Sequence, residues 1–237
     1  MREDSVTAAQ RAAALLTEAA EANRRRDHAR ALELLQHAAR LYRDLAQQAT
    51  STDQRVRAFR GLGATLYQLA IEALYVARPA EALEAAQEGY TLIAQYGLQP
   101  ARQLAKLNAL RALALLDLRR LSEALQAVDM AFEDLLKEKD PIVRAEMAVR
   151  FSWLKGTILS ALGRHEEALE HLDRAYIHFQ NHGQYNFWHF VSMAEALMAV
   201  GRHEDALAFY RVGADYLKKS GAFVPFSEFR VEMLVSV

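Results

Sequence analysis

Apolar residues recur along this chain at spacings of three and four, in long stretches separated by short polar turns. That is the helical period. Strict alternation never persists, so no strand is expected. The pattern predicts helices at about 5–25, 28–48, 53–77, 79–96, 100–118, 121–138, 141–161, 165–181, 185–200 and 203–219, with a shorter one at 226–235. Local signals mark the joints. "TSTDQ" at 50–54 offers N-caps, and "YGLQPA" at 96–101 pairs a terminating Gly97 with an initiating Pro100. Asp140 before Pro141 supplies a cap and a first helical residue. "NHGQYN" at 181–186 and "KSGAFVP" at 219–225 close the last two units.

The same eight residues are nearly written twice, as "LGRHEEAL" at 162–169 and "VGRHEDAL" at 200–207. Weaker copies stand at 25–32, 76–83 and 118–125. All five end in Ala-Leu, with the alanines at 31, 82, 124, 168 and 206, spaced by 51, 42, 44 and 38 residues. Seven residues after each alanine comes another small residue: Ala38, Gly89, Ala131, Ala175 and Gly213. Residues seven apart share a helix face two turns apart, so each pair lets a neighbouring backbone approach closely. Gly163 and Gly201 suit the left-handed position that ends a helix. Glu166, Glu167, Glu204 and Asp205 then fall in the first turn of the next helix, where the dipole favours acids. Each motif therefore reads as a tight turn between two antiparallel helices, and the repetition as architecture rather than a duplicated active site.

Phe59, Leu62, Gly63 and Leu66 match the first-helix pattern of the tetratricopeptide repeat (TPR) family; Gly156, Leu159, Gly163 and Ala168 match a second copy. Phe190, Met193, Ala194, Leu197, Gly201 and Ala206 match a third. The chain resembles that family over nearly its whole length, with units longer than the family's 34 residues, as in the helical-repeat domains of bacterial regulators. The resemblance implies an all-α, right-handed superhelical solenoid of about five antiparallel hairpins (about 5–48, 53–96, 100–138, 141–181 and 185–219) in one domain, 1–237. A cap at 225–237 completes it. The resemblance also implies that the first helix of each hairpin lines a concave surface for a protein or peptide partner.

Composition narrows the chemistry. The 237 residues include no cysteine, which excludes disulfides, zinc-thiolate sites and cysteine nucleophiles. Net charge is −1, no apolar run reaches the length of a membrane span, and no secretion signal opens the chain. A cytoplasmic protein without membrane or direct nucleic-acid contact is expected. No phosphate loop, nucleophile elbow or metal framework occurs, so neither enzyme activity nor a cofactor is expected. His178 and His182 have metal-capable spacing, but no third ligand is placed by sequence.

Charge is divided between the helices. The first helices of the three central units carry nine cations against four acids, a net +5; their second helices carry two against twelve, a net −10. A basic inner surface would attract an acidic segment; alternatively these charges solvate exposed faces and pair between neighbouring helices. The candidate partner-binding residues are Arg57, Arg60, Tyr67, Lys106, Asn108, Arg111, Arg150, Trp153 and Trp188. Trp188 belongs to "QYNFWHF" at 184–190, a stretch with Tyr185 that is either anchor or core. The apolar tail, with Phe223, Phe226 and Phe229, is expected to lie on the last hairpin as a cap, or else to form a homodimer. The function expected is a protein-interaction scaffold; the alternative is a ligand- or peptide-responsive module of a bacterial transcription or signalling system.

Overall fold

Helical periodicity and caps translate directly into structure. In the computed structural model, the described residues are 2–98, 101–183, 187–221 and 223–235, with side chains from residue 7 onward. They form α1 (Arg2–Arg24), α2 (His28–Gln48), α3 (Thr52–Tyr75), α4 (Pro79–Tyr96), α5 (Ala101–Asp117), α6 (Leu121–Leu135), α7 (Pro141–Ala161), α8 (His165–Asn181), α9 (Phe187–Ala199), α10 (His203–Ser220) and α11 (Phe226–Val235). Pro100 and Tyr185 lie outside the described residues. Successive helices pack side by side as a superhelical stack of antiparallel hairpins. The Asp140 carboxylate accepts from the amides of Ile142 and Val143, and the Ser51 hydroxyl accepts from that of Gln54. α6 stops at Leu135, three residues before its expected end, in a turn over 136–137.

The small pairs seven apart are all buried, and their role is visible at the glycines. A Cβ on Gly89 would stand 3.3 Å from Leu66 Cβ and 3.4 Å from Leu107 Cδ2. α4 thus wedges between the first helices α3 and α5. A Cβ on Gly213 would stand 3.0 Å from Phe190 Cβ, so α10 meets α9 almost backbone to side-chain root. Close approach of this kind gives dispersion contacts that a larger residue would forfeit.

All five hairpin turns share one backbone. A residue with positive φ (Arg26, Ala77, Arg119, Gly163, Gly201) precedes the N-cap (Asp27, Arg78, Arg120, Arg164, Arg202). The N-cap amide returns to the carbonyl five residues back, at 2.7–2.9 Å. That is the six-to-one bond of the Schellman motif. The arginine of each repeated motif pairs within its own turn. Arg164 forks onto Glu167 at 2.6 Å and Arg202 reaches Asp205 at 2.7 Å, just as Arg120 forks onto Glu123. These exposed pairs tidy the turn and contribute little stability. Three of the five left-handed positions are not glycine, and each is strained by the clash of Cβ with the following carbonyl. Ala77→Gly is therefore expected to raise stability by about 0.5–1 kcal/mol, relief of strain exceeding the extra freedom of the unfolded glycine. Urea denaturation checks it; an unchanged or lower midpoint would contradict the strain.

One element reaches further than expected. α11 meets the last hairpin through Phe226 on Trp188 and Phe229 on His189, and continues across α3, α5 and α7. The apolar residues Phe229, Val231, Met233 and Leu234 are each at most 5% exposed there. The reason is the available seat. α10 buries only Ala206 and Gly213 along its length, whereas α7 presents the Trp153 ring to Phe229 at 5.2 Å. Leu207, Tyr210 and Val212 on α10 stay exposed as a result.

Candidate functional site

The first helices of the hairpins make one continuous face, and α11 runs across it. Phe229 enters edge-on between two rings, 5.2 Å from Trp153 and 5.1 Å from His189. His189 leans on Phe179 at 4.4 Å. Phe226 sits on Trp188 at 4.7 Å, and the Trp188 indole donates to the Val224 carbonyl at 2.7 Å. Offset and edge-to-face pairs of this kind add to area burial.

Polar contacts fix the register. Arg230 forks onto the Asp117 carboxylate at 2.5 and 3.2 Å while its guanidinium lies 5.2 Å from the Phe226 ring. Arg150 on α7 donates to the Met233 carbonyl at 3.1 Å, in the last turn of α11, where the helix dipole favours a cation. Arg26, in the α1–α2 turn, meets Glu228 at 3.3 Å. The face thus holds α11 by an apolar seat, a carboxylate for its arginine and a cation for its C-terminal end.

Beyond α11 the face stays open. A cleft of about 640 Å³ lies among α1, α3 and α5, lined by Asn23, Arg24, Tyr67, Gln68, Glu72 and Gln103 among others. Glu72, 1% exposed, ties three helices there, accepting from Asn23 and lying 2.8 Å from His28 Nδ1, whose ring stacks on Tyr75 at 4.2 Å. Arg57 and Arg60 are exposed on α3, on the stripe that runs through Ala64 and Gln68 at helical spacing.

Burial sets the electrostatics. The His189 pKa falls to about 3, first because its ring is buried and then because Arg150 is near, so the imidazole is neutral. Burial, followed by Arg102 and Arg150, lowers that of Lys106, which marks a cationic cluster shared by α5 and α7. Burial raises the Tyr67 phenol to about 12.

The residues singled out by sequence divide into three groups. Tyr67 lines the open cleft, Arg57 and Arg60 are exposed further along α3, and Lys106 and Arg150 lie in the cationic cluster. Trp153 and Trp188 lie under α11, together with the tail residues Phe226 and Phe229; Phe223 stays 58% exposed. Trp153 is 1% exposed and Phe229 2%, so with α11 in place neither meets a second molecule. Asn108 and Arg111 belong elsewhere. Asn108 is fully buried and donates to Asp134 at 2.9 Å, Lys137 meets Asp134 at 2.8 Å, and Arg111 bonds Asn108 at 2.5 Å and faces the Tyr90 ring. That network joins α5 to α4 and α6 and offers no side chain to the groove. Sequence reading missed Asp117, Arg230 and His189 as site residues. The signal was Arg230 set between the apolar Phe229 and Val231 of the tail, which implies an acidic partner once the tail is buried. One cation counted as inner-surface charge, Lys155, pairs with Asp129 of α6 at 2.6 Å, and on α2 Arg43 likewise pairs with Glu88 of α4 at 2.6 Å. Among the described residues no group of three metal-ligating side chains occurs and no helix is long and apolar enough to cross a membrane.

No protein-family model matches the sequence, and no curated protein matches it significantly. Solved structures do. BtubC (BKLC) from P. vanneervenii superposes with a TM-score of 0.64 at 17% identity, over 94% of this chain and 93% of that one. The nearly identical TPR-like repeats of a kinesin light chain from Podosopora anserina superpose with a TM-score of 0.63 at 15% identity, over 90% and 97%. Aspartyl phosphate phosphatase F from Bacillus subtilis gives 0.64 at 15% identity, over 99% of this chain but 58% of that chain. The likeness is one of architecture: the chain has the TPR-like helical-repeat fold.

Proposed function

We propose that this chain is a protein-interaction module, not an enzyme, whose first-helix groove takes a helical segment of a partner protein. One observation carries the reading: the groove already holds a helix through matched apolar, carboxylate and cationic contacts. Laying an amphipathic helix in a groove is a recurrent mode of recognition. The similar structures, a kinesin light chain repeat among them, support a partner that is protein. Arg57 and Arg60 on the open stripe, with Arg102, Lys106 and Arg150 nearby, favour acidic residues in that partner.

Binding to pools of acidic and basic helical peptides tests the reading. The acidic pool is expected to bind more tightly at low salt, and Arg57→Glu with Arg60→Glu is expected to cost about tenfold or more, since exposed steering charges are screened by salt. Equal retention of both pools at every salt concentration would contradict it. A second reading rests on the 640 Å³ cleft, which lies in the size range of small-molecule sites. A ligand-responsive module would be stabilised by its ligand in a thermal shift.

A further inference from the structure

α11 is held as a ligand is held, not as a solenoid cap is held. It is ten residues long, too short to be a stable helix by itself in water. It reaches the groove through a connection that opens at the left-handed Gly221 and is non-helical at 223–225. Of the last hairpin only the groove-lining helix α9 grips it, through Trp188 and His189. Every side chain that grips it comes from the groove face or the α1–α2 turn: Trp188, Trp153, His189, Asp117, Arg150 and Arg26. Beside the Met233 carbonyl lies the Arg102, Lys106 and Arg150 cluster, and the cleft on α1, α3 and α5 is open among the described residues.

We propose that α11 is a built-in, displaceable occupant of the groove, and that the partner helix replacing it repeats its pattern: two aromatic residues three apart, an arginine directly after the second, then apolar residues two, four and five positions beyond that second aromatic, followed by acidic residues. In this chain the template is Phe226, Phe229, Arg230, Val231, Met233 and Leu234. The two aromatics fill the Trp188 and Trp153–His189 seats. The arginine satisfies Asp117, whose carboxylate would otherwise stay half-buried and unpaired in the groove. The acidic extension faces the cationic cluster. Those acidic contacts help a partner of the same pattern compete with a tethered segment present at an effective concentration on the order of millimolar. The inference rests on the groove being a partner site.

The test uses the full chain and a labelled peptide of residues 223–235, FVPFSEFRVEMLV. Arg230→Glu in the chain sets two carboxylates against each other and is expected to release α11. The peptide should then bind that variant at least tenfold more tightly than it binds the wild type, because the fraction of open groove rises. Asp117→Arg should refuse this peptide and accept one carrying Arg230→Glu. In the unaltered chain, amide hydrogen exchange should find α11 opening faster than α5 and α7 at a rate independent of global unfolding. Equal peptide affinity for wild type and Arg230→Glu, or α11 amides exchanging only with the core, overturns the displaceable occupant while leaving the groove reading intact. Peptide binding to neither chain overturns both. A dimer by light scattering with α11 exchanged between copies overturns the separate partner.

Discussion

Trp153→Ala is expected to lower the unfolding free energy by about 3–5 kcal/mol, the usual cost of deleting a large buried aromatic. Trp153 is 1% exposed and is the floor on which α11 closes, so the cavity opens to both α7 and Phe229. The side chains above it are held by Asp117, Arg150 and Trp188 and cannot collapse freely into the space. Urea denaturation followed by circular dichroism measures the loss, with Trp188 fluorescence reporting separately on the α11 seat. Trp153→Phe should cost less than about 1.5 kcal/mol. It keeps the edge-to-face partner for Phe229, and it removes an indole N–H that is buried without an acceptor among the described residues. A loss under 1 kcal/mol for Trp153→Ala would show that this ring is not a core residue.

Acid is expected to act through His189. Its folded pKa, pushed down to about 3 by burial and then by Arg150, lies below the usual value near 6.5. Between those two values the unfolded chain binds a proton that the folded chain refuses. Stability is thus greatest above pH 6.5 and declines as the pH falls through that window, by up to about 1.4 kcal/mol per pH unit from this group. His171 and His178, both also lowered by burial first, add to the slope. Substituting His189→Phe puts a ring that never charges among Phe179, Trp153 and Phe229. The variant should lose about one proton's worth of pH dependence between pH 4.5 and 6. Denaturation midpoints at several pH values compare the two; parallel profiles would exclude His189 as the source.

Much of the solenoid was legible because its signals are local. The bounds of α2, α4, α7, α8 and α11 follow caps, prolines, glycines and spacing that each act within a few residues. The small pairs from Ala31 and Ala38 to Ala206 and Gly213 declared close packing before any neighbour was known. The turns were only partly legible. Gly163 and Gly201 announce left-handed backbone, whereas Arg26, Ala77 and Arg119 adopt it under tertiary constraint with no glycine to mark it. The groove was less legible still. Trp153 and Phe229 appeared as separate candidates, one for a partner and one for a cap, though each is the other's contact. Asn108 and Arg111 looked like groove residues because first-helix positions alone do not say which face meets α4 and α6.

The sequence by itself determined the helices, their antiparallel pairing and the stacking of five hairpins, because periodicity, capping and small-residue spacing act over one or two helical turns. Only the tertiary structure decided where α11 goes. Arg230 and Asp117 stand 113 residues apart, and Arg150 and the Met233 carbonyl 83 apart. No local signal links such pairs. They meet because the stacked first helices create an apolar floor with a carboxylate and a cation at fixed distances, and α11 is the segment of this chain whose shape and charge fit it.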